Sequence, residues 1–177
     1  ISFAKGSQLT SIPPYAFYDC INLETISFPI DSVLTAIEEY AFAISSSSSF
    51  NQEGLSEISI PKGVQSVGDY AFGCSIVRSE FIVNPTCNNR LKTVTFSIDS
   101  ALTVIGQYAF NTQSITKLTI PKGVRNIGEG AFSSCSSLTT VSIPKSVQNI
   151  GEYAFSGTIV SQCWITPDAS GHVAISS

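Results

Sequence analysis

The sequence holds one histidine, one tryptophan and only 12% charged residues in 177 positions, and each scarcity closes off a kind of chemistry. His172, standing alone, cannot build a site that needs two histidines. A Ser-His-Asp arrangement would have to use it, and no Gly-x-Ser-x-Gly or other nucleophile signature accompanies it. The spaced Cys and His of a zinc site are missing, and glycine is spread along the chain instead of clustering into a phosphate loop. A net charge of -4 leaves no basic footprint for nucleic acid. No apolar run approaches the roughly 20 residues of a membrane helix, and no stretch reads as a signal peptide. These absences predict a non-enzymatic chain with no catalytic residues, no metal, no cofactor, no nucleic-acid partner and no membrane insertion of its own.

What fills the chain is repetition on a polar, nearly uncharged background of Ser, Thr and Gln. Ala-Phe recurs at Ala16-Phe17, Ala41-Phe42, Ala71-Phe72, Ala109-Phe110, Ala131-Phe132 and Ala154-Phe155. A unit repeated at fixed offsets cannot bury its own apolar face and must stack on a neighbour, so the pattern predicts one elongated solenoid domain over 1–177 with about six repeats. Ile1 already lies inside a repeat, which is the expected look of a piece of a longer protein.

Each repeat has three parts. The first is a strand phrase with an apolar opening residue and two more apolar residues three and five places later, as in Leu23/Ile26/Phe28, Leu55/Ile58/Ile60, Leu91/Val94/Phe96, Ile115/Leu118/Ile120 and Leu138/Val141/Ile143. Alternation with Ser or Thr gives the period of two expected of a strand with one buried face. The second is a turn, short in Pro61-Lys62-Gly63, Pro121-Lys122-Gly123 and Pro144-Lys145-Ser146, and two residues longer in the other copies. Asp31 and Asp99 share a position in the longer turns, where a bond to nearby backbone is the favoured reading over catalysis. The third is Val-x-x-Ile-Gly-x-Tyr-Ala-Phe. Pro14, Glu39, Asp69, Gln107, Glu129 and Glu152 precede each Ala by two places, and Pro and carboxylates suit the first turn of a helix, so a single helical turn is expected there. The Gly slot before them also holds Pro13 and Glu38, so close packing is a better reason for glycine than a left-handed backbone. Tyr15, Tyr40, Tyr70, Tyr108 and Tyr153 form a column broken by Gly130, with ring stacking as the expected role.

The phrases Leu138-Thr-Thr-Val-Ser-Ile-Pro-Lys-Ser-Val-Gln-Asn-Ile-Gly-Glu-Tyr-Ala-Phe155 and Phe132-Ser-Ser-Cys135 resemble the BspA-like, or Treponema-type, leucine-rich repeat. The resemblance covers nearly the whole chain. It implies a right-handed leucine-rich-repeat solenoid, β-rich, with one parallel strand per repeat and short one-turn helices opposite. It also implies a cell-surface or secreted protein of a host-associated microbe, with adhesion to host matrix proteins or cells.

The period is broken twice. From Phe to the next opening residue the usual gap is five or six, but it is 13 from Phe42 to Leu55 and 19 from Phe72 to Leu91. The insertions, 43–54 and 73–90, leave consecutive repeats at the same point and should emerge side by side. Phe81-Ile82-Val83 could itself be the third strand, but Leu91 keeps the opening Leu and is preferred. Of the five cysteines, Cys74 and Cys87 flank the second insertion and could form a disulfide. Cys20, Cys135 and Cys163 are expected to be buried and unbonded, Cys163 in a seventh strand, Val160 to Ile165.

Because regular positions must match their neighbours, specificity is expected in the insertions. Phe50, Arg78, Glu80, Phe81 and Arg90 are the candidate partner contacts there, since aromatic and Arg side chains are common interface anchors. Glu57, Lys117 and Trp164 are candidates on the outer strand face, where Trp164 either anchors a partner or is covered by a further repeat. The expected function is a protein-binding and adhesion module, with a structural spacer as the alternative.

Overall fold

The computed structural model describes residues 1–45, 54–75 and 91–160, and the backbone of Gln162–Thr166. The strand phrases form parallel strands in two separate hydrogen-bonded ladders, one of two strands and one of three. Glu57–Ile60 pairs with Thr93–Phe96, placing Ile58 opposite Val94 and Ile60 opposite Phe96. Lys117–Thr119 and Thr140–Pro144 pair likewise, and Thr140–Pro144 then pairs with Gln162–Thr166. Leu118, Val141 and Cys163 thus share one column, the register expected of a seventh strand. The first two copies are reduced to a bridge between Ser2 and Ser27. Pairing of Glu57 with Thr93 confirms Leu91 as the opening residue of its repeat.

A six-stranded sheet, which the sequence did not announce, runs along the other side of the edge turns. Its strands are Ser11–Ile12, Ala36–Ile37, Ser66–Val67, Val104–Ile105, Asn126–Ile127 and Asn149–Ile150, all parallel and in that order. Two residues between two turns are too few to show a period. Ile12, Ile37, Val67, Ile105 and Ile127 point into the core from it.

The expected one-turn helices are not there: none of the described residues is helical. Tyr15, Tyr40, Tyr70, Tyr108 and Tyr153 adopt φ of 58, 54, 54, 52 and 58°, and Gly130 in the same slot 57°. An α-helix needs φ near about −63° at every position, so one left-handed residue per copy stops it. The Ala71 N–H donates to the Gly68 carbonyl at 3.3 Å, closing a turn with Tyr70 third, where a type II turn requires positive φ. Other amides of this segment serve the stack: the Tyr40 N–H donates to the Asp69 carbonyl at 2.9 Å and the Phe42 N–H to Ala71 at 2.7 Å. Pro and carboxylates fit the start of a turn as well as that of a helix, and inter-repeat bonds decide between them.

The preceding glycine slot is governed by close approach, as expected. A Cβ on Gly68 would lie 2.7 Å from the Glu38 carbonyl carbon, and one on Gly106 would lie 2.6 Å from that of Gly68. Inside, Phe17, Phe42, Phe72, Phe110, Phe132 and Phe155 stack in one column with ring centroids 5.1 to 5.4 Å apart. Phe110 and Phe132 are fully buried, whereas Phe17 and Phe155 are half-buried and Ala16 is exposed in the outer copies. Outside, Tyr15, Tyr40, Tyr70 and Tyr108 stack at 4.8 to 5.0 Å. Gly130 interrupts the column, and the Tyr108 ring lies in the space that a Cβ there would take.

Candidate functional site

Regular copies follow Ala-Phe with a second turn whose third residue is also left-handed: Asp19, Thr112, Ser134 and Gly157, with φ of 55, 56, 57 and 72°. The second and third repeats replace that turn with strands, Ile44–Ser45 and Cys74–Ser75, which pair in parallel. The two insertions therefore depart from adjacent strands, and the chain re-enters the stack at Leu55 and Leu91, just before the paired strands Glu57–Ile60 and Thr93–Phe96.

Polar side chains of flanking repeats hold these roots, and sequence reasoning missed them. Asp19 accepts bonds from the Ser45 N–H and the Ser45 hydroxyl, both at 2.7 Å. Asn111 accepts from the Cys74 N–H at 2.7 Å and donates to the Cys74 carbonyl at 3.4 Å. Gln113 accepts from the Leu91 N–H at 3.2 Å and donates to the Phe72 carbonyl at 2.8 Å. Asn111 and Gln113 are buried, so their amides replace peptide groups that a regular repeat would have supplied. The signal was present, since Gln113 occupies the slot held by Cys20 and Cys135.

Glu57 and Lys117 stand on the outward face of the strand sheet, both exposed and at the same repeat position. Around them Ser59, Thr93, Thr95 and Thr119 are exposed, while Thr140 and Ser142 are half-buried. The Trp164 backbone pairs with Ser142. Phe50, Arg78, Glu80, Phe81 and Arg90 lie outside the described residues, as do His172 and the Trp164 side chain.

Cys74 is disulfide-bonded, and Cys87 lies outside the described residues. Cys20 and Cys135 are free thiols. Cys135 is buried, donates to the Phe110 carbonyl at 3.2 Å and has its pKa pushed up by burial to about 11. Cys20 is exposed, against expectation: it lies in the first Ala-Phe copy, with no earlier one to supply the contact that Phe110 makes to Cys135. In the longer turns the local backbone bonds come from Ser, with Ser32 accepting from the Leu34 N–H and Ser100 from the Leu102 N–H, both at 3.3 Å. Asp31 instead accepts from the Gly6 N–H of the preceding repeat at 3.2 Å.

On the tyrosine edge, the Tyr108 hydroxyl donates to Glu129 at 2.7 Å. That bond, then burial and the Glu129 charge, pushes the Tyr108 pKa up to about 12. Burial, then the neighbouring Tyr70 and Tyr15, raises Tyr40. Beneath the insertion roots, Phe42, Ile44, Leu55, Phe72, Cys74 and Leu91 line a cavity of about 40 Å³. Ligand pockets run to about 300–1,000 Å³, so this cavity is too small for an organic ligand.

A family profile described as the BspA type leucine rich repeat region matches residues 1–86 and 85–170, in six copies. Among solved structures, the leucine-rich-repeat protein of Treponema pallidum is similar over 84% of this chain and 65% of its own, at 23% identity and a TM-score of 0.58. A leucine rich cell surface protein from Faecalibacterium prausnitzii A2-165 is similar over 88% of this chain and 58% of its own, at 22% identity and a TM-score of 0.45. For the pneumococcal vaccine antigen PcpA the figures are 89%, 36%, 18% and 0.38. The Treponema likeness shows the fold, and the chain spans 65% of that protein's length. No curated protein matches the sequence.

Proposed function

The chain belongs to the BspA type leucine-rich-repeat family, and from that premise we propose that it is a protein-binding module of a cell-surface or secreted protein. It attaches to host matrix proteins or host cells, without enzymatic chemistry, through the insertions 43–54 and 73–90 and the adjoining strand face. The observation that carries this reading is the rooting of both insertions on the paired strands Ile44–Ser45 and Cys74–Ser75, held by Asp19, Asn111 and Gln113. A featureless spacer has no use for two adjacent departures from its period or for buried amides to secure them. Phe50, Arg78, Glu80, Phe81 and Arg90 make the contacts, with Glu57, Lys117 and Trp164 beside them on the strand face, and Cys74 is bonded to Cys87.

The test is binding of the purified chain to immobilised extracellular-matrix proteins and to host cells. Phe50→Ala with Arg78→Ala weakens binding and leaves thermal stability nearly unchanged. Binding that survives this pair but disappears with Trp164→Ala or Lys117→Ala transfers recognition to the strand face. Failure to bind any of these targets returns the spacer reading. Peptide mapping without reduction checks the disulfide, and free Cys74 and Cys87 would refute it.

A further inference from the structure

The edge between the strand phrases and the six-stranded sheet carries one turn per repeat, and the turns are equivalent despite their different lengths. Each closes with an amide three residues after a carbonyl: Ser7 to Ala4, Ser32 to Pro29, Val64 to Pro61, Ser100 to Ser97, Val124 to Pro121 and Val147 to Pro144, all at 3.0 or 3.1 Å. The second residue of each turn stands at its tip. In stacking order the tips are Lys5, Ile30, Lys62, Ile98, Lys122 and Lys145, all exposed. Ile30 is 90% and Ile98 98% exposed, the most exposed large apolar side chains described. A β-branched apolar residue at a turn tip gains nothing by folding, since it buries almost no surface. Ile nonetheless recurs at the same tip two repeats apart, with Lys62 between. Lys5, Lys62 and Lys122 thus alternate with the two Ile on an edge whose carboxylates are Asp31 and Asp99, in a chain whose net charge is −4. Asp31 is turned along the stack to the Gly6 N–H.

We infer that this ladder of tips is a docking edge for an acidic amphipathic helix of a protein partner, laid along the solenoid axis. Charge complementarity sets the sign, and pitch sets the shape. Stacked repeats advance by the spacing of parallel strands, about 4.8 Å, so Ile30 and Ile98 stand about 10 Å apart. A helix advances about 5.4 Å per turn, so residues i and i+7 lie on one face about 10.5 Å apart, with i+3 and i+4 midway. Apolar side chains at i and i+7 meet Ile30 and Ile98 while a carboxylate at i+3 or i+4 meets Lys62. Carboxylates one turn beyond either end meet Lys5 and Lys122. A helix presenting its face in this spacing is a known mode of peptide recognition. The inference rests on the chain being a protein-binding module, but not on the insertions.

The test uses a fluorescent synthetic helical peptide with Leu at two positions seven apart and Glu midway and one turn beyond each end, read by anisotropy against the intact chain. The expected result is salt-sensitive binding that weakens at least about tenfold in Ile30→Ser with Ile98→Ser, at unchanged thermal stability. Lys62→Glu should weaken the same peptide and restore binding to a version carrying Lys at the midway position. The Phe50→Ala and Arg78→Ala pair should leave peptide binding intact, so loss of matrix binding in that pair speaks to the insertions alone. A peptide that fails to bind, or binds the Ile30→Ser, Ile98→Ser variant equally well, overturns the inference. Binding of phosphatidylserine–phosphatidylcholine vesicles in place of the peptide also overturns it, in favour of a membrane surface.

Discussion

At the scale of single residues, equivalent positions take different properties from the repeats that flank them. Cys20 and Cys135 share a repeat slot, but Cys135 is sealed under its neighbour and Cys20 is not. A thiol reagent at mildly alkaline pH should therefore label Cys20 in the folded chain and reach Cys135 only after unfolding, because burial both blocks access and holds its pKa near about 11. Equal labelling rates, read by mass spectrometry, would refute the assignment. Tyr108 makes a second contrast. Its pKa, raised above the ordinary 10.0 to about 12, means that the folded state favours the protonated phenol. The resulting stabilisation is present below the unfolded pKa near 10.0 and is lost as pH rises through about 12. In a spectrophotometric titration Glu129→Gln should move this late phenol towards 10.0, and an unchanged late phase would show that the Glu129 bond is not its cause.

At the scale of elements, the stack is held by columns that run across repeats. Phe110 is completely buried between Phe72 and Phe132, at 5.2 and 5.4 Å. Phe110→Ala should cost about 3–5 kcal/mol through lost burial and the cavity left behind, measured by denaturant unfolding. A loss below about 1 kcal/mol would mean that stacking does not carry the fold. Asn111→Ala leaves the Cys74 N–H without its acceptor in a buried place, a penalty of about 1–3 kcal/mol. Hydrogen exchange should quicken at Cys74 in that variant, and unaltered exchange would remove Asn111 from the clamp. The strand phrases were legible because five or six residues show a period of two. The turn after Glu39, Asp69 and Glu152 was not, because Pro and carboxylates suit the start of a helix and of a turn alike, and the left-handed tyrosines that choose between them are fixed by bonds to the next repeat.

At the scale of the whole molecule, regularity and departure from it have separate roles: one builds the stack and the other distinguishes this chain's surface. The proposed contacts at Phe50 and Arg78 should thus be separable from stability, with binding lost in the double alanine variant while the melting midpoint stays put. A large drop in that midpoint would mean that the insertions belong to the core. The sequence by itself determined the repeat architecture, the parallel strand register, the phenylalanine and tyrosine columns and the points where the period breaks, because each repeat must match its neighbour and so writes the same constraint again and again. The tertiary structure alone decided the six-stranded sheet, the replacement of helices by left-handed turns, the clamping of the insertion roots by Asp19, Asn111 and Gln113, and the isoleucine and lysine ladder on the turn edge. Most of these rest on hydrogen bonds between residues in different repeats, and the ladder on turns of unequal length coming into line. Such relations exist only once the chain has stacked.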